Sequence, residues 1–351
     1  MKKFAGICLA AMLILPTLAV GDIFPKAGTA GLQFLKLDVD ARAVGMGGAY
    51  TPYAKGASAS YWNPAGLAYT TGNELFLNHL EYVADINYEY ATFAFPTNIG
   101  IFAINTSVLY MDWMDVTTED EFGPNGEEFT GSDIMAGVSY GTKITDKFAI
   151  GLTGKYLRQN IDEYNVNGWS VDFGTIYESE LDLWVLHDII IGMSLRNFGP
   201  DLGYKVDNDG DGLYDEDPFD LLDNDGDGLI DEDGEELAFP VPMNFSLGIA
   251  TNLYKTEMHS LDLVFQLDNC VDRLETYNLG AEFKIGTFFL RGGYQFNKDA
   301  QSWTCGFGCK IPTSFAILDL DFAYSGFGYL EEDMGDDFLT GPMRFSLKMA
   351  F

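Results

Sequence analysis

The stretch TYNLGAEFKIGTFFLRGGYQF, residues Thr276–Phe296, carries the pattern that decides the fold. It contains two runs in which apolar side chains alternate with polar, charged or small ones, separated by a short break at Gly286 and Thr287. A period of two indicates β-strands with one apolar face. The apolar faces hold Tyr277, Leu279, Ala281, Phe283 and Ile285, then Phe288, Leu290, Gly292, Tyr294 and Phe296; the opposite faces hold Asn278, Gly280, Glu282 and Lys284, then Arg291, Gly293 and Gln295. The stretch therefore predicts an antiparallel hairpin with two unlike faces.

The same alternation recurs along most of the chain, in apolar segments of about 9–12 residues. Ordinary strands average about 5–6 residues, whereas about 9–11 cross a bilayer at a tilt. Aromatic residues cluster near segment ends, as in Tyr88–Tyr90 and Phe322–Tyr324, which is typical of interfacial girdles. A soluble β-sandwich would also alternate, but these two features favour an all-β, transmembrane antiparallel barrel of about 14 strands. The predicted strands are 74–82, 86–96, 99–111, 130–144, 147–161, 166–179, 187–198, 242–253, 258–269, 275–285, 286–297, 301–311, 314–325 and 341–351.

Charge is segregated from the alternating segments. The formal net charge is −33, which argues against binding nucleic acid through neutralised phosphates. Residues 206–236 hold 15 acidic residues and no Lys or Arg. The acidic stretches 112–133, 199–241 and 326–340 each follow an odd-numbered predicted strand, so they share one end of the barrel. An even strand number brings both termini to the periplasmic side, and the three stretches are then extracellular loops.

The two ends of the chain indicate export to the bacterial outer membrane. Residues 1–21 combine Lys2 and Lys3 with an apolar run and small residues, the pattern of a secretory signal peptide. The run is too short for a spanning helix. The last predicted strand ends in Phe351 and resembles the C-terminal signal of outer-membrane proteins. The sequence therefore predicts a multi-pass barrel in the outer membrane of a Gram-negative-type bacterium, in contact with its lipid.

Three cysteines, Cys270, Cys305 and Cys309, follow the predicted signal peptide. An odd number leaves at least one of them unpaired in an exported protein. Cys305 and Cys309 would lie roughly 13 Å apart on one strand face, beyond disulfide reach. They are predicted to be apolar surface residues.

The runs ARAVGMGGAY, Ala41–Tyr50, and YWNPAGLA, Tyr61–Ala68, carry a family resemblance. They resemble the start of PorV/PorQ-family proteins, relatives of the long-chain fatty-acid transporter barrels. The resemblance implies a fourteen-stranded outer-membrane barrel. Because this region lacks clean alternation, we expect a short N-terminal segment, 22–70, rich in turns and helices and folded into or beneath the periplasmic mouth, and a barrel over 71–351. The matching residues are Arg42, Gly45, Met46, Gly47, Gly48, Ala49, Trp62, Asn63, Pro64, Ala65, Gly66 and Leu67.

The glycines of the first run do not have the spacing of a phosphate-binding loop, and no βαβ unit surrounds them. Close backbone packing against the barrel is the better interpretation of Gly45, Gly47 and Gly48. Arg42 is a candidate to pair with a carboxylate in the lumen. In the second run Pro64 holds Asn63 extended, and the asparagine side chain can close a turn.

The segment DNDGDGLYDED at 207–217 recurs as DNDGDGLIDED at 223–233. Hard oxygen ligands without His or Cys suit calcium. The twelfth position departs from the EF-hand, being Pro218 in one copy and Gly234 in the other, and the repeats look more like thrombospondin type 3 loops. The prediction is structural Ca²⁺ that orders the 199–241 loop; the alternative is an acidic loop that only condenses cations. The candidate ligands are Asp207, Asp209, Asp211, Leu213, Asp215, Asp217, Asp223, Asp225, Asp227, Leu229, Asp231 and Asp233.

The sequence contains no recognisable catalytic constellation. His79, His187 and His259 are predicted to be barrel-surface or loop residues, and the protein is predicted not to be an enzyme. The PorV/PorQ resemblance implies an accessory of type IX secretion that binds exported proteins through C-terminal signal domains, or a translocon barrel. The alternatives are a fatty-acid-transporter-like channel for a hydrophobic ligand, and a surface adhesin or porin. The polar inward positions favour protein binding; they are Asn244, Ser246, Glu282, Lys284, Arg291, Asp319, Asp321, Arg344 and Lys348.

Overall fold

The computed structural model describes residues 28–82, 86–117, 124–162, 164–179, 186–204, 237–298, 303–326 and 341–351. Within them, fourteen strands pair antiparallel and close into a barrel. In chain order these strands are β1 (Glu74–Glu81), β2 (Asn87–Thr97), β3 (Gly100–Tyr110), β6 (Gly131–Thr145), β7 (Phe148–Ile161), β8 (Tyr164–Glu178), β9 (His187–Phe198), β12 (Asn244–Lys255), β13 (His259–Cys270), β14 (Thr276–Ile285), β15 (Phe288–Phe296), β16 (Trp303–Pro312), β17 (Ile317–Ser325) and β18 (Met343–Ala350). Two small hairpins complete the described sheets: β4 (Met114–Thr117) with β5 (Pro124–Phe129), and β10 (Leu202–Tyr204) with β11 (Leu237–Phe239).

Each barrel strand pairs with its neighbours in the chain, and β1 closes the barrel against β18. The predicted count of fourteen is confirmed. Short turns follow β2, β6, β12, β14 and β16 at one end, while the connections after β3, β9 and β17 leave from the other end. Short turns are periplasmic and long loops extracellular in barrels of this kind. The three acidic stretches therefore start and finish at the extracellular end.

The strand bounds agree with the predicted ones to within about three residues, as for β7 and β9. The two small hairpins were not predicted. They lie inside stretches assigned to loops, where acidic and glycine residues obscure any alternation, and each pairs only a few residues. They form the base of two of the extracellular connections.

The barrel strands have an apolar outer face and a largely polar inner face, as the alternation predicts. On β12, Leu247 and Ile249 point outward and are exposed, whereas Ser246 and Ala250 are buried inside. Inward polar residues such as Gln266 are almost completely buried. They are buried because the lumen is filled by residues 28–73.

The filling segment contains two short α-helices, Ala41–Gly45 and Ala59–Trp62, and two 3₁₀-helices, Gln33–Lys36 and Pro64–Tyr69. No helix in the described part of the chain is both long and apolar enough to cross a membrane. The apolar core lies in the lumen, between this segment and the inner wall. Its largest fully buried side chains include Phe34, Tyr50, Trp62, Phe76, Tyr88 and Tyr90.

Candidate functional site

The N-terminal segment runs the length of the lumen. At the extracellular end the backbone N–H of Gly31 donates to the carbonyl of Pro240, 3.1 Å away, beside β11. At the periplasmic end the backbone N–H groups of Asn73 and Phe351 each donate to the carbonyl of the other. The segment thus reaches further than the periplasmic mouth that its sequence predicted, because its small residues allow it to thread a narrow lumen.

Arg42 joins the segment to the barrel wall through a chain of alternating charges. Its Nε and Nη2 atoms donate to Oε2 and Oε1 of Glu282 on β14, at 2.8 and 2.7 Å. Arg291 on β15 donates from Nε to Glu282 Oε2 and from Nη1 to Asp321 Oδ1 on β17, both at 2.6 Å. The Glu282 side chain is only 2% exposed. Glu282 is therefore the lumen carboxylate that the sequence led us to expect opposite Arg42, and it is shared by two guanidinium groups.

The glycines after Arg42 let two backbones meet. Gly47 has φ +68°, and a Cβ there would lie 3.0 Å from the backbone nitrogen of Tyr294. Its N–H donates to Thr304 Oγ1 on β16 at 3.0 Å, and its carbonyl accepts from Gln295 Nε2 on β15 at 2.9 Å. The facing strand contributes Gly293, where a Cβ would collide with Met46 and Gly47. Close backbone packing is confirmed, and any side chain at Gly47 would be strained by both its φ and its neighbours.

The second motif run packs against the opposite wall without ion pairs, and its one cationic contact in the described structure is Arg196 on β9, which lies over the rings of Tyr61 and Trp62. Asn63 has extended backbone, φ −159°, and its Oδ1 accepts from the N–H of Ala65 to cap the 3₁₀-helix. Its Nδ2 donates to the carbonyls of Thr51 and of Thr175 on β8, both at 3.0 Å. Pro64 lies so close to β7 that a Cβ on Gly151 would collide with it. Asn63 thus holds two stretches of the segment and the wall together.

Beside the segment, in the periplasmic half of the lumen, lies a cavity of about 630 Å³. Its charged lining is balanced, with as many acidic as basic side chains. Several of these form ion pairs across the lining, such as Lys348 with Asp319 at 2.9 Å and Lys55 with Glu178 at 2.5 Å. The charged lining residues are Asp40, Glu178, Asp188, Asp262, Glu282, Asp319, Asp321, Arg42, Lys55, Lys255, Lys284, Arg291, Lys310 and Lys348.

A second cavity, of about 520 Å³, lies at the extracellular end and has a mixed lining. Apolar side chains such as Leu32 and Phe34 face it beside basic ones. At this end the ammonium of Lys36 pairs with Asp272 at 2.8 Å in the turn after β13. Burial alone would raise the pKa of Asp272, but hydrogen bonds from Lys36 and Gln33 outweigh burial and hold this pKa below its ordinary value.

The structure brings the family-motif residues together in the lumen: Met46, Trp62, Asn63 and Ala65 are buried. Of the predicted inward residues, Glu282, Lys284, Arg291, Asp319, Asp321 and Lys348 line the lower cavity, and Asn244, Ser246 and Arg344 are buried in the lumen. Cys305 and Cys309 are free thiols on the outward face of β16, as predicted, whereas Cys270 is buried. The three histidines lie on barrel strands, as predicted.

The predicted calcium ligands of residues 207–233 lie outside the described residues, as does the predicted signal peptide. Among the described residues, no group of three or more His, Cys, Asp or Glu side chains is arranged to hold a metal ion. The calcium site therefore stays a prediction.

Several contacts of the segment could not be predicted from the sequence, and two of them involve β13 and the turn after it. Gln266 on β13 accepts from the N–H groups of Tyr50 and Thr51, at 3.0 and 2.8 Å. Asp272 accepts from Gln33 as well as Lys36. Alternation places Gln266 on the inner face, which is a usable signal, but nothing in the sequence indicates which part of the segment it meets.

The family model for the type IX secretion system protein PorV matches residues 25–233, more than half of the chain. The match includes both motif runs, the segment that fills the lumen and the strands from β1 to β9. No curated protein matches the chain.

Several solved outer-membrane channels share the fold. The toluene transporter TodX of Pseudomonas putida is 13% identical, with 88% of this chain and 95% of that chain covered and a TM-score of 0.52. The monoaromatic hydrocarbon channel CymD is 12% identical over 89% and 97%, with a TM-score of 0.53. The toluene transporter TbuX of Ralstonia pickettii is 11% identical over 88% and 96%, with a TM-score of 0.50. At such low identity the likeness shows the barrel architecture alone.

Proposed function

The chain belongs to the PorV family of type IX secretion system proteins, and from this premise we propose that it is a non-enzymatic accessory of protein secretion. In this proposal the barrel resides in the outer membrane and binds exported proteins, through their C-terminal signal domains, or a translocon barrel. Its activity is the binding of protein partners, for delivery or attachment at the cell surface.

The observation that carries the proposal is that the N-terminal segment fills much of the lumen and that the remaining space in its periplasmic half is lined by charged side chains. The N-terminal segment is tied to the wall by buried ion pairs, as between Arg42 and Glu282, and by backbone contacts at Gly47 and Gly151. The cavity beside it, in the periplasmic half of the lumen, is lined by many charged side chains. Small hydrophobic ligands favour pockets lined mainly by apolar side chains, with a few polar groups to orient them. A charged lower lumen is a poor route for such ligands and leaves the outer surfaces for protein partners.

The second candidate is a channel for a hydrophobic small molecule. It is favoured by the fold shared with TodX and CymD, described as a toluene transporter and a monoaromatic hydrocarbon channel. The upper cavity adds a specific observation, because Leu32, Phe34 and Leu109 line it. An apolar ligand entering from outside would reach these side chains first and would then meet the charged cavity below.

Mass spectrometry of the barrel purified from its native membrane tests both candidates. The same sample is scored for co-purifying proteins and for bound lipids, with an unrelated outer-membrane barrel from the same cells as control. We expect secreted proteins that share a C-terminal domain, or a much larger barrel, to co-purify in greater amount than with the control barrel. A stoichiometric apolar ligand without protein partners would instead establish the channel.

We also propose that calcium orders the acidic repeats, a role that the spacing of their aspartates supports. A calcium titration of the barrel should give dissociation constants of about 10⁻⁴–10⁻³ M, the range of extracellular modules. Asp209→Ala and Asp225→Ala should each weaken binding. Asp336→Ala, which removes one carboxylate from a different acidic stretch, is the matched control. Equal titration curves for all four proteins would exclude specific sites.

A further inference from the structure

Asp262 on β13 is a buried carboxylate that the proposed function does not use. It is 8% exposed and lines the cavity in the periplasmic half of the lumen. Its Oδ1 accepts from Asn252 Nδ2 at 2.6 Å, and its Oδ2 lies 3.4 Å from the hydroxyl of Ser260. Neither contact supplies a positive charge. Because a buried carboxylate without a cation is strongly unfavourable, Asp262 needs a cationic partner.

The basic side chains near Asp262 are engaged elsewhere. Glu282, which is opposite Asp262 on β14, already holds two guanidinium groups. Lys255, at the end of β12, pairs with Asp188 at 2.8 Å. Among the residues that the structure describes, no Lys or Arg forms an ion pair with Asp262. The charge of Asp262 is therefore available to a group from outside the chain.

The side-chain amide of Asn252 on β12 is a second, independent observation. Asn252 is 6% exposed and lines the same cavity. Its Nδ2 is committed to Asp262, while its Oδ1 is buried and has no hydrogen-bond partner in the described part of the chain. A buried acceptor without a donor is unfavourable. An amide oxygen beside a carboxylate suits a group that is positively charged and donates several hydrogen bonds, and an ammonium has both properties.

A group of the opposite charge lies on the next strand. Lys284 on β14 is opposite Ser260, one inward position nearer the periplasm than Glu282. It is thus a diagonal cross-strand neighbour of Asp262, and such neighbours lie about 7–8 Å apart. Lys284 lines the same cavity and makes no ion pair or hydrogen bond with any other described residue. The cavity therefore presents a carboxylate and an ammonium side by side, each without a charged partner.

We propose that Asn252, Asp262 and Lys284 bind a small zwitterion, an amino acid or a short peptide, that enters from the periplasm. The ligand's ammonium donates to Asn252 Oδ1 and Asp262 Oδ2, and its carboxylate accepts from Lys284. The cavity volume of about 630 Å³ lies within the range of small-molecule sites, roughly 300–1,000 Å³. The cavity is open to the periplasm, since the side chain of Lys255 in its lining is 67% exposed. The site is independent of the protein partners of the proposed function.

The test measures binding to the full-length barrel in lipid nanodiscs by isothermal titration calorimetry. The probes are alanine, alanylalanine, and the N-acetyl derivative and C-terminal amide of each. We expect at least one of the two unmodified probes to bind and either modification of it to weaken binding roughly ten-fold or more, because each removes a charge-assisted hydrogen bond. Tighter binding of alanylalanine would assign the site to peptides, and tighter binding of alanine would assign it to amino acids.

Two results with the unmodified protein would overturn the proposal. One is that neither alanine nor alanylalanine binds, in which case water satisfies Asn252. The other is that the acetylated and amidated probes bind as well as the unmodified ones, since recognition would then not depend on the two charges. Because these comparisons need no mutation, they decide the question even if a variant fails to fold.

Variants assign the two ends of the ligand. Asp262→Asn keeps the shape of the side chain, removes its charge and should weaken the tighter probe roughly ten-fold or more. The control is Asp188→Asn, which removes a carboxylate of the same lining that already pairs with Lys255, and it should leave binding unchanged. Equal binding by these two variants would overturn the role of Asp262.

Lys284→Met should abolish the preference for the free carboxylate over the amide without changing the preference for the free amine. Lys310→Met, at another lysine of the cavity lining, should keep both preferences and is the matched control. If Lys284→Met kept the preference for the free carboxylate, the proposed orientation of the ligand would be wrong.

Discussion

The two runs of the N-terminal motif fix one segment to opposite walls of the barrel by different physical means. The first run meets β14–β17, where Arg42, Glu282 and Arg291 form a chain of charges; Glu282 and Arg291 are almost completely buried and Arg42 is 25% exposed. The second run meets β6–β8, where Asn63 and Pro64 use neutral hydrogen bonds and close backbone contact. The segment is attached to the first wall mainly by ion pairs and to the second mainly by neutral hydrogen bonds and close packing.

The two kinds of contact should respond differently to mutation. Removing one member of a buried ion pair leaves the remaining charge without compensation, which costs about 3–5 kcal/mol. A neutral contact loses only its own hydrogen bond or packing, commonly about 1–3 kcal/mol. A single substitution in the charged wall should therefore lower the free energy of unfolding more than a single substitution in the neutral wall.

The largest effect is expected for Glu282→Gln. It leaves the guanidinium groups of Arg42 and Arg291 facing each other in the lumen without their shared carboxylate. The free energy of unfolding, measured by urea titration in lipid vesicles, should fall by about 3–5 kcal/mol.

The matched control is Glu178→Gln, which breaks the pair with Lys55. Those side chains are 31% and 36% exposed, and pairs in contact with water contribute about 0–1 kcal/mol. If both variants lost the same free energy, burial would not be what distinguishes the charged wall.

On the neutral wall, Gly151→Ala should have the next largest effect. The added Cβ would collide with Pro64, and overpacking of this kind costs about 1–3 kcal/mol. Gly154→Ala is the control on the same strand, because a Cβ there has no described atom within 4 Å. The same unfolding titration should show a loss for the first variant only. Equal stability of the two variants would mean that the segment does not press against β7.

The barrel could be predicted from the sequence because a two-residue period is local. The alternation around Phe283 and Glu282 already assigns one side chain to lipid and the other to the lumen, and each hairpin repeats the information. The three long connections share one end for the same reason. Their order along the chain determines the end at which they lie.

The path of the N-terminal segment could not be predicted in the same way. Its contacts join residues that are far apart in the chain, such as Lys36 with Asp272 and Tyr50 with Gln266, and no periodicity links them. The sequence indicated a carboxylate for Arg42 because a charge inside a barrel needs a partner. It could not choose Glu282 among the inward acids, since that choice depends on how far the segment extends into the lumen.

Asn63→Ala extends the test of the neutral wall to hydrogen bonds. The carbonyls of Thr51 and Thr175 lose their donor and Ala65 loses its cap, for an expected loss of about 1–2 kcal/mol in the same titration. Asn167→Ala is the control. Asn167 lies on the exposed outer face of β8 and accepts a hydrogen bond from the hydroxyl of Tyr156 on β7, so its loss should cost little. A loss as large as that of Glu282→Gln would remove the distinction between the two walls.

The smallest effect, and the sharpest test of the charged wall, is expected for Arg42→Lys. Lysine keeps the positive charge beside Glu282 but cannot donate to both carboxylate oxygens in the planar fork that arginine makes. If charge compensation dominates, the unfolding titration should show a loss of only about 1 kcal/mol, the usual value of one hydrogen bond. Arg158→Lys, on the exposed outer end of β7, should leave stability unchanged. A loss approaching that of Glu282→Gln would mean that the charged wall, like the neutral one, depends on the shape of its contact.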